Sequence, residues 1–226
     1  MGIRHEPETG PAAGGTNPAV ILIPGLGGSG PGHWQTIWEQ QLPECSKVDL
    51  GNWENPHRNT WINKLNLAIY RANRPVVLAA HSLGCIVAAW WARFEQRRWA
   101  HPVIGALMVA PPEVDFFPLD ERLTRFSPTP AQALPFPSRL IASRDDPWIS
   151  FHTAQTLAKR WGSTFVDAGD AGHLNADSGL GDWSFGREQL AQLLRSRHEP
   201  VAVETPLSVP AITVAAQDRA SGLVGG

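Results

Sequence analysis

The chain has 226 residues, of which 42% are hydrophobic and ten are tryptophan, and its formal net charge is -2. That length suits one domain with a sizeable core. The near-neutral balance, with no Lys/Arg-rich run, argues against nucleic acid or an acidic membrane surface as the main partner and favours small, mostly uncharged ligands.

The N-terminal stretch "MGIRHEPETGPAAGG" has no apolar core of the secretory kind, and Glu6 stands where a myristoylation motif wants Ser or Thr. Gly, Pro, Ala and Thr dominate residues 1–17 and again residues 198–226, so both ends read as flexible extensions around a domain at 18–197. Within that domain "AVILIP" reads as a buried strand, and "HWQTIWEQQL" places Trp34, Ile37, Trp38 and Leu42 on one helical face. "SKVDL" is a weaker strand, followed by the helix "HRNTWINKLNLAIYRAN" with Trp61, Leu65 and Ile69 aligned. "PVVLAA" is a third strand and "LGCIVAAWWARFE" the helix after it. "PVIGALMVA", "SRLIAS" and "STFVDA" supply three more strands, and "SFHTAQTLAKRW" and "DWSFGREQLAQLLRSR" two more helices. This alternation predicts an α/β fold: a mainly parallel sheet of about six strands, covered on both faces as a three-layer sandwich, with right-handed crossovers and the site at the carboxyl ends of the strands.

No apolar run approaches the roughly 20 residues that cross a bilayer. Cys45 and Cys85 lack metal or redox spacing, so a reduced, cytoplasmic setting is the default and no metal site is expected.

The third strand meets its helix at "AHSLG", with small residues, Ala80 and Gly84, two positions on either side of Ser82. A strand that runs straight into a helix forces the corner residue into a sparsely allowed conformation and lifts its side chain clear of the sheet. The flanking positions are expected to crowd each other and so to need small residues. This is the nucleophile-elbow pattern G-x-S-x-G with Ala for the first Gly. The competing reading is a serine that only caps a helix.

A serine nucleophile needs a base oriented by an acid, and in this fold the chain order is Ser, acid, His. "SRLIASRDDPWIS" offers Asp145 and Asp146 just past a strand, and "STFVDAGDAGHLN" offers His173 past the last one. Asp146, directly before Pro147, is the preferred acid; Asp145 reads as a solvated neighbour or turn residue, and Asp167 and Asp170 as turn residues. His5, His101, His152 and His198 read as surface groups, and His33 and His57 as caps or surface groups. His81 reads as a structural hydrogen-bonding residue that touches the elbow through sequence only, because adjacent side chains diverge. Oxyanion donors are expected from the backbone N–H of Leu83, after the nucleophile, and of Leu26 in the glycine-rich loop after the first strand.

That loop also carries a competing signal. Gly25, Gly27 and Gly30 spell G-x-G-x-x-G after a strand, with Asp49 about 20 residues on, as an NAD(P)-binding fingerprint would have it. Pro31 and Gly32 interrupt the helix that such a motif needs within itself, so a longer loop is expected instead.

Ser82 in "AHSLG", Asp146 in "SRDDPW" and His173 in "AGHLNADSGLGDW", together with "LIPGLGGSGPGHWQTIWEQQLP" and "NWENPHRNTWINKL", resemble the alpha/beta-hydrolase family of retinoblastoma-binding protein 9 and the YdeN proteins, over residues 18–196. The resemblance implies a compact serine hydrolase with Ser82, Asp146 and His173 as triad and no cofactor. It does not carry over retinoblastoma-protein binding: the nearest match to the L-x-C-x-E motif, "LGCIV", ends in Val87. Residues 109–137 are too short for a large lid, so an open pocket for small esters is expected, with Trp34, Trp53, Trp148 and Trp183 as candidate linings. The reaction expected is acyl transfer through an acyl-enzyme. The alternatives are a catalytically silent binding protein on the same fold and an NAD(P)-dependent oxidoreductase.

Overall fold

The computed structural model describes residues 17–95 and 102–195; residues 1–16, 96–101 and 196–226, with His5, His101 and His198, lie outside the described residues. Six strands form one fully parallel sheet: β1 (Ala19–Ile23), β2 (Cys45–Lys47), β3 (Val76–His81), β4 (Val103–Val109), β5 (Ser138–Ala142) and β6 (Thr164–Asp167), in the order β2-β1-β3-β4-β5-β6. Among the described residues five helices complete the layers: α1 (Trp34–Gln41), α2 (Arg58–Ala72), α3 (Leu83–Glu95), α4 (Phe151–Trp161) and α5 (Ser184–Arg195).

Successive strand residues point to opposite faces, and here both faces are dry. Ala19, Ile21 and Ile23 of β1, with Val76, Leu78 and Ala80 of β3, meet Trp61, Leu65, Ile86, Trp90 and Trp161 from α2, α3 and α4. Val20, Leu22, Val77 and Ala79 face the other way, onto Trp34 and Trp38 of α1 and Leu190 and Leu193 of α5. Every residue of β1 and β3 is buried, which explains their unbroken apolar runs. The edge strands β2 and β6 are only three and four residues long, short enough to discourage edge-to-edge pairing.

The helical face read from periodicity at α1 is partly displaced. Trp34 and Trp38 are fully buried, whereas Ile37 and Leu42 are half-buried. The polar Gln35 is fully buried in their place, and its amide donates to the carbonyls of Ile23 (3.1 Å) and Ala79 (2.9 Å). It thus joins the carboxyl ends of β1 and β3.

Between β4 and β5 the Pro-rich segment forms no large lid. It contains a 3₁₀ turn, Glu121–Phe126, and packs Leu123 and Phe126 into the core. Two tryptophan indoles fasten it: Trp90 donates to the Phe126 carbonyl and Trp161 to that of Pro130, both at 2.8 Å. No helix among the described residues is long and apolar enough to cross a membrane.

Candidate active site

The turn from β3 into α3 is one residue wide. Ser82 sits at φ 53° in the left-handed region, where a non-glycine residue is strained, and its N–H is held by the Val109 carbonyl of β4 (2.9 Å). Small neighbours are needed here for a reason other than mutual crowding of Ala80 and Gly84. A Cβ on Gly84 would run into the carbonyl oxygens of Ile23 and Pro24, the latter at 2.7 Å, so the end of β1 sets the limit. Gly25 has a matching constraint from above: its Cβ would stand 2.7 Å from that of Ser82. The glycine-rich loop can cross the serine only because residue 25 has no side chain.

The loops after β5 and β6 bring Asp146 and His173 to the same corner. His173 Nε2 lies 2.9 Å from Ser82 Oγ, and its Nδ1 lies 3.0 and 2.9 Å from the two carboxylate oxygens of Asp146. Ser82, Asp146 and His173 are all buried; Ser82 and His173 border the cleft, and the Asp146 carboxylate lies behind them with no exposed side-chain surface. Asp146 Oδ1 also accepts from the Trp148 N–H (2.9 Å), which fixes the carboxylate. Asp145 turns away from the imidazole. It accepts from Ser143 Oγ (2.6 Å) and the Gly172 N–H (2.8 Å), and these bonds hold its carboxyl below the usual range. Asp145 is an exposed turn residue, as expected, and it also ties the acid loop to the residue before His173. Asp167 accepts from the Gly169 N–H and pairs with Arg144, as a turn residue would.

Behind the imidazole lies a pair of histidines that the sequence did not connect to it. His33 caps α1 by accepting the Gln35 N–H at Nδ1 (3.1 Å), so its ring proton belongs on Nε2. That nitrogen is 3.3 Å from His81 Nδ1, which must then accept, leaving His81 Nε2–H to donate to the His173 carbonyl at 2.9 Å. Both rings are buried, and both are neutral at pH 7. Burial, then Lys47 and His173, lowers His33 from 6.5 to about 4; burial, then His33 and His173, pushes His81 well below its ordinary value. His33 is thus a cap but no surface group, and His81 reaches the site through this bond to the His173 backbone. His57 and His152 are exposed.

The cleft above Ser82 has a volume of about 310 Å³ and is bordered by Leu26, Gly27, His81, Arg122, Trp148 and His173, among others. The Leu83 N–H belongs to the first turn of α3, where donors have no intrahelical partner. In the glycine-rich loop the N–H groups of Gly27 and Gly28 are taken by the Trp53 and Gly25 carbonyls. Of the four tryptophans expected to line the pocket, only Trp148 does so, stacked on His173 with ring centroids 5.2 Å apart. Trp34 and Trp183 belong to the core behind the sheet, where they contact each other, and the Trp34 indole donates to Leu174. Trp53 packs under Gly28 and against Trp61. Arg122 carries no sequence signal. Its guanidinium is held by Asp120 and Glu54, which raises its already high pKa and fastens the 3₁₀ turn to the loop before α2.

The dinucleotide fingerprint dissolves in three dimensions. α1 starts at Trp34, so Gly30 lies in the loop and not inside a helix, and Gly25 serves Ser82. Asp49 accepts from the nearby Gly51 N–H. Among the described residues no three His, Cys, Asp or Glu side chains gather to hold a metal ion. The Cys85 thiol is fully buried, donates to the Ala80 and Val109 carbonyls, and has its pKa raised by burial.

Comparison with known proteins gives a consistent result. The family model described as serine hydrolase matches residues 20–192. A solved structure from Pectobacterium atrosepticum, described as a YdeN-like hydrolase, is 32% identical, covers 79% of this chain and 91% of its own, and has a TM-score of 0.69. The ydeN gene product of B. subtilis is 20% identical over 79% of this chain and 100% of its own, with a TM-score of 0.64. A protein from Xanthomonas campestris described as a hydrolase of the alpha/beta superfamily is 20% identical over 80% and 99%, with a TM-score of 0.58. The last two speak to the fold alone. No curated protein matches.

Proposed function

Because the chain belongs to the serine hydrolase family, in its YdeN-like group, we propose that it cleaves small esters through Ser82, His173 and Asp146 by way of an acyl-enzyme. One observation carries this reading: the unbroken hydrogen-bonded line from Ser82 Oγ through the His173 ring to the Asp146 carboxylate, every step between 2.9 and 3.0 Å.

The chemistry follows from the donors and acceptors. An ionised carboxylate only accepts, so His173 Nδ1 carries the proton and Nε2 is left as the acceptor for the Ser82 hydroxyl. As Ser82 Oγ attacks an ester carbonyl, its proton passes to Nε2, and the imidazolium is stabilised by Asp146. The carbonyl oxygen becomes an anion, for which the Leu26 and Leu83 N–H groups are the proposed donors. Collapse returns the proton from Nε2 to the leaving alkoxide and leaves the acyl group on Ser82. Water, deprotonated by the same nitrogen, then releases the acid. No cofactor takes part. A cleft of about 310 Å³, at the lower end of ligand-pocket sizes, supports a small reacting group.

The test is labelling with a fluorophosphonate, read by intact mass, of wild type, Ser82→Ala and His173→Ala, each checked for folding by circular dichroism. Wild type alone should gain one adduct. Folded wild type that stays unlabelled sinks the reading and leaves a catalytically silent binding protein on this fold.

A further inference from the structure

Trp148 has two sides. One is stacked on His173 and borders the cleft above Ser82; the same residue also borders a second, larger groove of about 650 Å³. Pro112, Pro147, Ile149 and Leu157 contribute apolar surface to that groove. Its two carboxylates are already engaged in holding the strap after β4. Glu113 accepts from the Asp115 and Phe116 N–H groups, and Asp115 accepts from Ser127 Oγ and the Thr129 N–H.

The rim is where the chain departs from ordinary surface chemistry. Phe116 is 76% exposed, Phe117 99% and Leu119 60%, and all three border this groove. Exposed aromatic and aliphatic groups gathered along a concave surface mark a binding site more often than chance surface. Phe117 also has φ 55°. A bulky residue in the left-handed region is a backbone outlier, and no burial of its ring offsets the strain.

We propose that this groove is a subsite for a hydrocarbon arm of the substrate, either aliphatic or aryl, so that the preferred ester joins a small reacting group at Ser82 to an apolar group lying beyond Trp148. The inference rests on the ester-hydrolase reading for its chemistry and on continuity through Trp148 for its occupant. Scission is unchanged: the C–O bond of the ester breaks, Ser82 takes the acyl carbon, and the alcohol leaves with the proton from His173. The subsite adds binding energy outside the reacting atoms, which strengthens kcat/KM for substrates long enough to reach it.

The experiment measures kcat/KM for two ester series, p-nitrophenyl acyl esters from acetate to octanoate and alkyl acetates from ethyl to octyl. In one series kcat/KM should rise about fourfold per methylene while the groove fills; a rise in the first places the acyl chain there, and in the second the alcohol. Thr156→Trp, on the α4 wall of the groove, should flatten that rise and leave the shortest ester unaffected. Phe117→Asn, which keeps a residue tolerant of positive φ, should weaken only the long esters. A flat or falling profile in both series, or an unaltered slope in Thr156→Trp, overturns the proposal. To separate it from the hydrolase reading, thermal shifts of Ser82→Ala are measured with ethyl acetate, ethyl octanoate and octyl acetate. A shift with an octyl compound alone, abolished by Thr156→Trp, supports the subsite even if the wild type turns nothing over. Absence of any shift, with the short esters still cleaved, removes the subsite and leaves the hydrolase.

Discussion

His33 gives the sharpest quantitative test of the packing behind the site. Its pKa falls from 6.5 to about 4, with burial as the main cause and Lys47 and His173 as further ones. Between those two values the unfolded chain binds a proton at this residue and the folded chain does not. The unfolded state therefore holds more protons, so stability must fall as pH drops through this window and recover as it rises. At about 1.4 kcal/mol per pH unit, the span from 6.5 to about 4 corresponds to about 3 kcal/mol, a large share of a typical domain's total. His33→Asn isolates the effect. Asparagine is a strong N-cap and can accept the Gln35 N–H as His33 Nδ1 does, but it does not titrate. His81 stays in both proteins, so its own titration largely cancels in the comparison. Urea unfolding at several pH values from 7.5 to 4 should show wild type losing about 3 kcal/mol more than His33→Asn. Equal losses in the two proteins would refute the buried, neutral cap and with it the tautomers assigned to the histidine pair.

Two further outcomes separate neighbouring residues with different duties. Asp146→Asn should leave the fold intact and lower kcat on the order of 10⁴-fold, the loss expected when the base is left in the wrong tautomer, whereas Asp145→Asn, which keeps an acceptor for Ser143 and Gly172, should retain most of the rate in the same ester assay. Gly84→Ala forces a methyl against the Ile23 and Pro24 carbonyls and should cost about 1–3 kcal/mol in urea unfolding; a neutral result would show that the end of β1 can yield.

The parts legible in the sequence are those whose physics is local. Val76 to His81 and Leu83 to Glu95 announce a strand and a helix by their own apolar patterns, and a serine between small residues at their junction is a local backbone statement. The following proline, a weaker cue, favours Asp146 over Asp145, and Asp146 is the carboxylate that faces His173. What stayed hidden depends on which distant surfaces meet. Helical period placed Trp34 on an apolar face but could not say that the face looks onto α5 and Leu174, 140 residues away, and not into the cleft. Nothing local marks Gln35 as the buried polar group that bridges Ile23 and Ala79, or Arg122 as part of the cleft.

The reading of His81 shows how a correct local rule can miss a contact. Adjacent side chains at the elbow do diverge, and that rule makes His81 a structural hydrogen-bonding residue, as found, but one that touches the elbow through sequence only. Divergence has the opposite effect here because both side chains end on one residue. Ser82 Oγ meets the His173 ring at Nε2, while His81, directed behind the elbow, reaches the His173 backbone carbonyl; both distances are 2.9 Å. His173 sits on a loop between glycines, with Gly172 at φ 57°, and such a loop has little intrinsic preference for one position. Its position is set by contacts from several directions: Asp146 on Nδ1, Asp145 on the Gly172 N–H, and His81 on the carbonyl. One end of that support is His33, the N-cap of α1, which itself borders the cleft, so the start of α1 takes part in aiming the imidazole.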